Sequence, residues 1–227
     1  MRVSTIAERV EAVRLQIAAA CQRSGRSPEE VTVVAVTKGF PPEAVREGFA
    51  AGLNQFGENR VQEAQGKIPL LADLAPRPTW HMVGHLQTNK VKTVLSLFDI
   101  IQSVDSLHLA QEISRRAPQS VRVPVLLEVN VAGEAAKFGF SPEELPAAAA
   151  QIRALPGLDV RGLMTVAPMV ADPQEARPVF RRLRVLAESL DLRELSMGMS
   201  DDFEVAVEEG ATIARVGRAI FGERSQR

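Results

Sequence analysis

From Val31 onward, short runs rich in β-branched residues take turns with amphipathic helical patterns, one strand and one helix about every 20–35 residues. This alternation limits the chain to parallel βαβ units, because a strand followed by a crossover helix returns a parallel strand to the same sheet. The pattern predicts strands at Val31–Thr37, Gln55–Gly57, Thr79–Val83, Ile100–Ser103, Val123–Asn130, Gly162–Ala167, Glu194–Met197 and Thr212–Val216. Helices are predicted at Pro42–Ala51, Asn59–Leu74, Thr88–Leu97, Ser106–Ala117 and Ser200–Glu209, with a short one at Arg218–Phe221. Two more have readable starts, Ser141-Pro-Glu-Glu144 and Asp172-Pro-Gln-Glu175, each with a capping side chain, proline at the first helical position and a glutamate placed to reach back. Before all of these, Ile6, Val10, Val13 and Ile17 share one face of a helix over Ser4–Arg23. Eight units close most naturally into a single-domain (β/α)8 barrel spanning residues 1–227, with residues 1–27 as an extra helix and lead-in. An open doubly wound sheet competes, but no Gly-x-Gly-x-x-Gly turn follows the first strand.

Composition narrows the function classes. The 227 residues carry a net charge of −1, so no global field draws in nucleic acid or an anionic membrane. A single cysteine, Cys21, excludes an internal disulfide framework and fits a reducing cytoplasm, where it reads as a small apolar residue of the first helix. The polar start Met1-Arg-Val-Ser-Thr-Ile6 has no signal-peptide core, and no run approaches the ~18 apolar residues of a membrane span. Aromatic residues are only 4% of the chain, which leaves no evident hot-spot patch and predicts a monomer.

In either architecture the chemistry belongs at the carboxyl ends of the strands. Lys38 closes the first strand, followed by Gly39 and the breaker pair Pro41-Pro42. A lysine half-buried at a sheet rim has a lowered pKa and a nucleophilic neutral amine, as a Schiff-base lysine needs; a stem packed on apolar surface with its head in water fits the same position. The last two strand ends carry Met197-Gly-Met-Ser-Asp-Asp202 and Arg215-Val-Gly-Arg218. Phosphate sites in such barrels form from these loops. Ser200 stands at a helix N-cap position and Gly217 permits close backbone approach before a second helix start, so an anion fits between them. Singly, these residues read as a cap and a turn; with Lys38, a phosphate site is the preferred reading. The histidines His81, His85 and His108 form no ligand set at metal spacing, so no metal is expected. No Gly-x-Ser-x-Gly elbow or phosphate-binding loop of the nucleotide triphosphatases is present, and the arginines of 177–184 alternate with Phe180 and Leu183 as the solvated face of a helix.

Together, Ala35-Val-Thr-Lys38, Phe56-Gly-Glu-Asn59 with Val61-Gln-Glu63, Trp80-His-Met-Val-Gly-His-Leu-Gln87 with Asn89-Lys-Val-Lys92, Ser103-Val-Asp105, Gly162-Leu-Met164, Ser196-Met-Gly-Met-Ser-Asp-Asp202 and Arg215-Val-Gly-Arg-Ala-Ile-Phe-Gly222 resemble the pyridoxal phosphate homeostasis protein family over nearly the whole chain. The resemblance implies a barrel similar to the N-terminal domain of alanine racemase, holding pyridoxal 5′-phosphate (PLP) as a covalent aldimine on Lys38. It further implies that Ser200 and the amides around Gly217 and Arg218 hold the phosphate, that Arg215 faces the pyridine nitrogen, and that Asn59, His81 and Met164 line the pocket. Two departures stand out: Thr37 and Gly39-Phe40 flank the lysine where many relatives have serine and threonine, and Arg218 replaces a more usual small residue.

Racemisation or transamination needs the ring as an electron sink and a base to move a proton. An always-charged arginine opposite the ring nitrogen weakens the sink. Alanine racemase uses such an arginine but adds a tyrosine base from a second domain and subunit, and this chain contains no tyrosine. The expectation is therefore a PLP carrier or regulator of vitamin B6 homeostasis with no catalytic residue, which hands PLP to apoenzymes or buffers it. The alternatives are a weak PLP-dependent racemase and an aldolase-like Schiff-base enzyme.

Overall fold

The computed structural model describes residues 4–119 and 121–223; the start at Met1 and the outer limits 1 and 227 lie outside the described residues. Eight strands, β1 (Thr32–Val36), β2 (Gln55–Glu58), β3 (Thr79–Met82), β4 (Ile100–Val104), β5 (Val123–Glu128), β6 (Leu158–Met164), β7 (Glu194–Ser196) and β8 (Ile213–Val216), pair in parallel in chain order. The barrel closes where β8 pairs with β1, from Thr32↔Ile213 to Ala35↔Val216. Around it run α1 (Ile6–Ser24), α2 (Pro42–Ala50), α3 (Val61–Lys67), α4 (Val91–Leu97), α5 (Leu107–Arg116), α6 (Leu145–Arg153), α7 (Arg177–Ser189), α8 (Phe203–Glu208) and α9 (Arg218–Phe221).

Two apolar layers result. The larger lies between sheet and helices, with Trp80, Phe56, Phe180 and Leu127 fully buried. A smaller cluster of Val34, Leu126, Met164 and Ile213, with Val166 against it, joins β1, β5, β6 and β8 from inside the barrel. Residues alternate between these layers with the period of two that a strand imposes.

The extra helix α1 starts at Thr5 with a full capping box to Glu8 and ends at Gly25 in the left-handed conformation. It buries Val10, Val13 and Ile17 as the sequence period requires, with Cys21 also enclosed, and its Arg23 pairs with Glu204 and Glu208 of α8.

Several boundaries differ from those predicted. The helix expected over Asn59–Leu74 breaks into α3 and a 3-10 turn at Ile68–Leu71, because Pro69 has no N–H to continue the ladder. The Ser141–Glu144 box forms, with both bonds at 3.2 Å, yet regular helix begins only at Leu145. Strand β6 starts at Leu158 rather than Gly162, since β5 pairs with it from Val123 onward; its charged Asp159 and Arg161 pair with each other on the rim. Strands β1, β5 and β6 stop one to three residues early, which puts Thr37 after the last residue of β1 and Lys38 in the turn beyond it.

Candidate functional site

Lys38 and Gly39 form the turn that leaves β1, Lys38 half-buried and Gly39 at φ +76°. Two contacts bring this turn to the end of β8. A Cβ on Gly217 would stand 3.2 Å from the Val36 carbonyl oxygen, a tight contact, so glycine lets the end of β1 and the end of β8 lie close together. Phe40 packs on Phe221 of α9 with ring centroids 5.3 Å apart.

The loop after β7 completes the arrangement, though not by the predicted cap. Ser200 is not the N-cap of α8; Asp202 holds that position, and its Oδ1 accepts the Met199 N–H at 2.6 Å. The Ser200 hydroxyl instead crosses to the neighbouring loop and accepts the N–H groups of Gly217 and Ala219 at 3.3 and 3.2 Å. It thereby satisfies first-turn donors of α9 and keeps its own O–H to donate. Gly198, at φ +88°, makes the preceding turn possible; a Cβ there would meet Ala206 Cβ at 2.6 Å. The Arg218 side chain is 49% exposed and pairs outward with Asp201 and Glu223, so it is the Arg218 backbone that belongs to the α9 start.

Arg215 is enclosed within the barrel, its Nη2 donating to the Thr165 carbonyl at 2.8 Å and its Nη1 to Ser196 Oγ at 2.7 Å. From there a chain of side chains runs across the interior. Ser196 donates to Gln102 Oε1 at 2.6 Å, Gln102 Nε2 lies 2.8 Å from His81 Nδ1, and His81 Nε2 lies 2.7 Å from Gln55 Oε1. Because a guanidinium can only donate, it fixes each successive role, and His81 carries its proton on Nε2. Burial pushes the His81 pKa down to about 4, so the ring stays neutral. His81 is therefore deep in the barrel with both nitrogens bonded to protein. Burial likewise lowers Arg215 to about 10, opposed by the charges of Glu128 and Asp202, and it remains cationic at neutral pH.

Met164 lies fully buried in the inner apolar cluster, and Asn59 follows β2 half-buried, its backbone so close to Gly84 that a Cβ there would come within 2.3 Å of its carbonyl oxygen. Sequence reasoning missed Glu128, Gln102 and Ser196. Glu128 ends β5 beside a cavity of about 180 Å³ lined also by Asn130, Lys137, Phe138 and Val166. Its Oε2 is buried with no hydrogen-bond partner, and burial first, then the charge of Asp105, raises its pKa to about 7. The available signal was a polar residue flanked by an apolar one in each predicted strand: Glu128 and Ser196 between apolar neighbours, Gln102 beside Ile101. Among the described residues no group of three or more His, Cys, Asp or Glu is arranged to hold a metal, and no helix is long and apolar enough to cross a membrane.

The donor set at the barrel mouth comprises an amine, a hydroxyl, backbone amides at a helix start and a buried guanidinium. It suits a phosphorylated aldehyde with a hydrogen-bond-accepting ring.

The family profile of the alanine racemase N-terminal domain matches residues 9–225. The pyridoxal phosphate homeostasis protein of Pseudomonas aeruginosa is 46% identical over 225 residues, covering 98% of this chain and 97% of that protein. The protein of the same name from Aquifex aeolicus is 45% identical over 224 residues, covering 96% and 97%. PipY of Synechococcus elongatus PCC7942, solved with PLP bound, superposes with a TM-score of 0.84 at 40% identity over 96% of this chain and all of PipY. Alanine racemase from Corynebacterium glutamicum shares the fold, with a TM-score of 0.67 at 16% identity over 95% of this chain and 62% of that enzyme.

Proposed function

The chain belongs to the pyridoxal phosphate homeostasis protein family, and from that membership we propose that it binds PLP at the carboxyl-end mouth of its barrel and holds it in reserve, without substantial turnover. When bound, PLP supplies an aldehyde that condenses reversibly with a primary amine, forming a C=N bond and releasing one water. In this reading Lys38 provides the amine, and Ser200 with the amides of Gly217 and Arg218 receives the phosphate, whose oxygen takes over from Ser200 as acceptor of the Gly217 N–H. Arg215 meets the ring nitrogen, and Asn59 and Met164 line the pocket. His81 acts from behind, as a link in the chain that orients Arg215.

The observation that carries this reading is the meeting of three strand ends: Val36, two residues before Lys38, against Gly217, and Ser200 bonded to the same loop. Its test is borohydride reduction of the protein incubated with PLP. One cofactor mass should be fixed on the Lys38 peptide among the five lysines, and none in Lys38→Ala. A colourless protein with no adduct would sink the proposal.

A carrier is favoured over a racemase because Arg215, cationic at neutral pH, cannot hold a proton on a ring nitrogen, and because no tyrosine exists in the chain to serve as base. Incubation with single-enantiomer amino acids should yield no sustained racemisation or keto acid; turnover lost in Lys38→Ala would overturn the carrier assignment. Hand-over to apoenzymes by a monomeric, cytoplasmic, single-domain protein completes the proposal.

A further inference from the structure

Behind the Lys38 turn lies an ionic cluster that the proposed site does not use. Lys67, at the end of α3, is 5% exposed, and its Nζ donates to Glu58 Oε1 at 2.6 Å, Glu63 Oε1 at 2.7 Å and the Thr37 carbonyl at 2.7 Å. Glu58, at the end of β2, is fully buried; its Oε1 also accepts the Thr37 hydroxyl at 2.6 Å, while its Oε2 has no hydrogen-bond partner. Glu63 Oε1 accepts the Gly39 N–H at 2.6 Å.

Holding α3 to the sheet would need only the Lys67–Glu58 pair. Three of the cluster's bonds instead end on Thr37 and Gly39, the two residues that bracket Lys38. We infer that Glu63, backed by Lys67 and Glu58, is a positioning residue that clamps the backbone on both sides of Lys38 and so aims its amine at the cofactor. The inference rests on the reading of Lys38 as the PLP-binding lysine.

The physical case lies in Gly39. With no side chain and φ +76°, it samples conformations closed to other residues unless something outside the turn fixes it. The Glu63 side-chain oxygen supplies that restraint by accepting the Gly39 N–H at 2.6 Å. A primary amine whose backbone is fixed on both sides loses less freedom on bonding, and displacement of a reacting group by about 1 Å costs up to about a hundredfold. The cluster's chemistry is suited to permanence, since removing one partner of a buried pair strands the other.

The measurement compares wild type, Glu63→Ala and Glu63→Gln for PLP affinity by absorbance titration, release rate into excess hydroxylamine, the site of the borohydride adduct and the melting temperature of the cofactor-free protein. Glu63 is partly exposed and Lys67 keeps Glu58, so the fold should survive. Glu63→Ala should weaken affinity and speed release by about tenfold. Glu63→Gln restores an oxygen acceptor for Gly39 and should return both to within about twofold. Wild-type affinity and release in Glu63→Ala would overturn the inference, as would a glutamine variant as impaired as the alanine one, which would assign the effect to charge. If Glu63→Ala does not fold, Glu63→Asp, which keeps the charge but shortens the reach, takes its place: unchanged release there overturns the inference equally. An adduct on a lysine other than Lys38 in wild type would remove the reading of Lys38 and this inference with it. An adduct on Lys38 with Glu63→Ala unaffected removes the inference alone.

Discussion

Glu128 and His81 stand in one barrel interior and titrate in opposite senses. The Glu128 carboxyl, raised from 4.5 to about 7, binds its proton more tightly in the folded protein, so its contribution to stability is fully present below pH 4.5 and is lost as pH rises through 7. The penalty above that is about 3 kcal/mol. Glu128→Gln should therefore raise the midpoint of urea unfolding at pH 8 while leaving it unchanged near pH 4.5. Equal shifts at both values would show that the carboxyl is not held neutral. His81, lowered from 6.5 to about 4, contributes stability above pH 6.5 that is lost as pH falls through 4. The places of Lys38, Ser200, Arg215 and Gly217 beyond or near the ends of β1, β7 and β8 were legible in the sequence from the strand alternation. Glu128, Gln102 and Ser196 were not: the predicted strands run on to Asn130 and Met197 and so place Glu128 and Ser196 in mid-strand, where, as for Gln102, a polar side chain reads as facing water. Only closure of the sheet turns that face into an interior.

The elements that carry the proposed phosphate site are the loops after β7 and β8, and their geometry depends on a few atoms. Gly198→Ala would force a Cβ into Ala206 and Phe203 at a positive φ, and should cost about 3 kcal/mol or more in chemical denaturation. Ser200→Ala removes the acceptor for two α9 amides, which should lower stability by about 1 kcal/mol and PLP affinity by about tenfold, read by melting and by absorbance titration. Arg218→Ala should leave affinity within about twofold, because that side chain is engaged with Asp201 and Glu223 on the surface. The start of α8 shows why a serine ahead of two aspartates did not reveal its own role. Ser200, Asp201 and Asp202 are all good cap residues, and the choice among them is made by Gly217 and Ala219, seventeen and nineteen residues away.

The whole barrel closes unevenly. Strand β5 pairs in register with β6 over six positions, whereas β7 and β8 register at Ser196↔Ile213, with the Thr212, Met197 and Arg215 N–H groups donating across the seam to the Leu195, Ile213 and Gly198 carbonyls at 3.0, 3.1 and 3.0 Å. That seam is reinforced by the Thr212 hydroxyl, which accepts the Leu195 N–H at 2.8 Å, and by Arg215 donating to Ser196 across it. Hydrogen exchange should accordingly show the Met197 amide protected less than those of Leu126 and Leu127; the reverse order would mean the seam is not the weak point. The eight-fold alternation announced the barrel, yet no strand by itself stated which pair would be thin. The same seam anchors the row of side chains from Arg215 to Gln55. Every hydrogen in that row points away from Arg215, so its aligned bond dipoles turn their negative ends toward the guanidinium. Four strands thus act as a fixed internal solvent for one cation, and a neutron map would find deuterium on Nε2 of His81 and none on Nδ1.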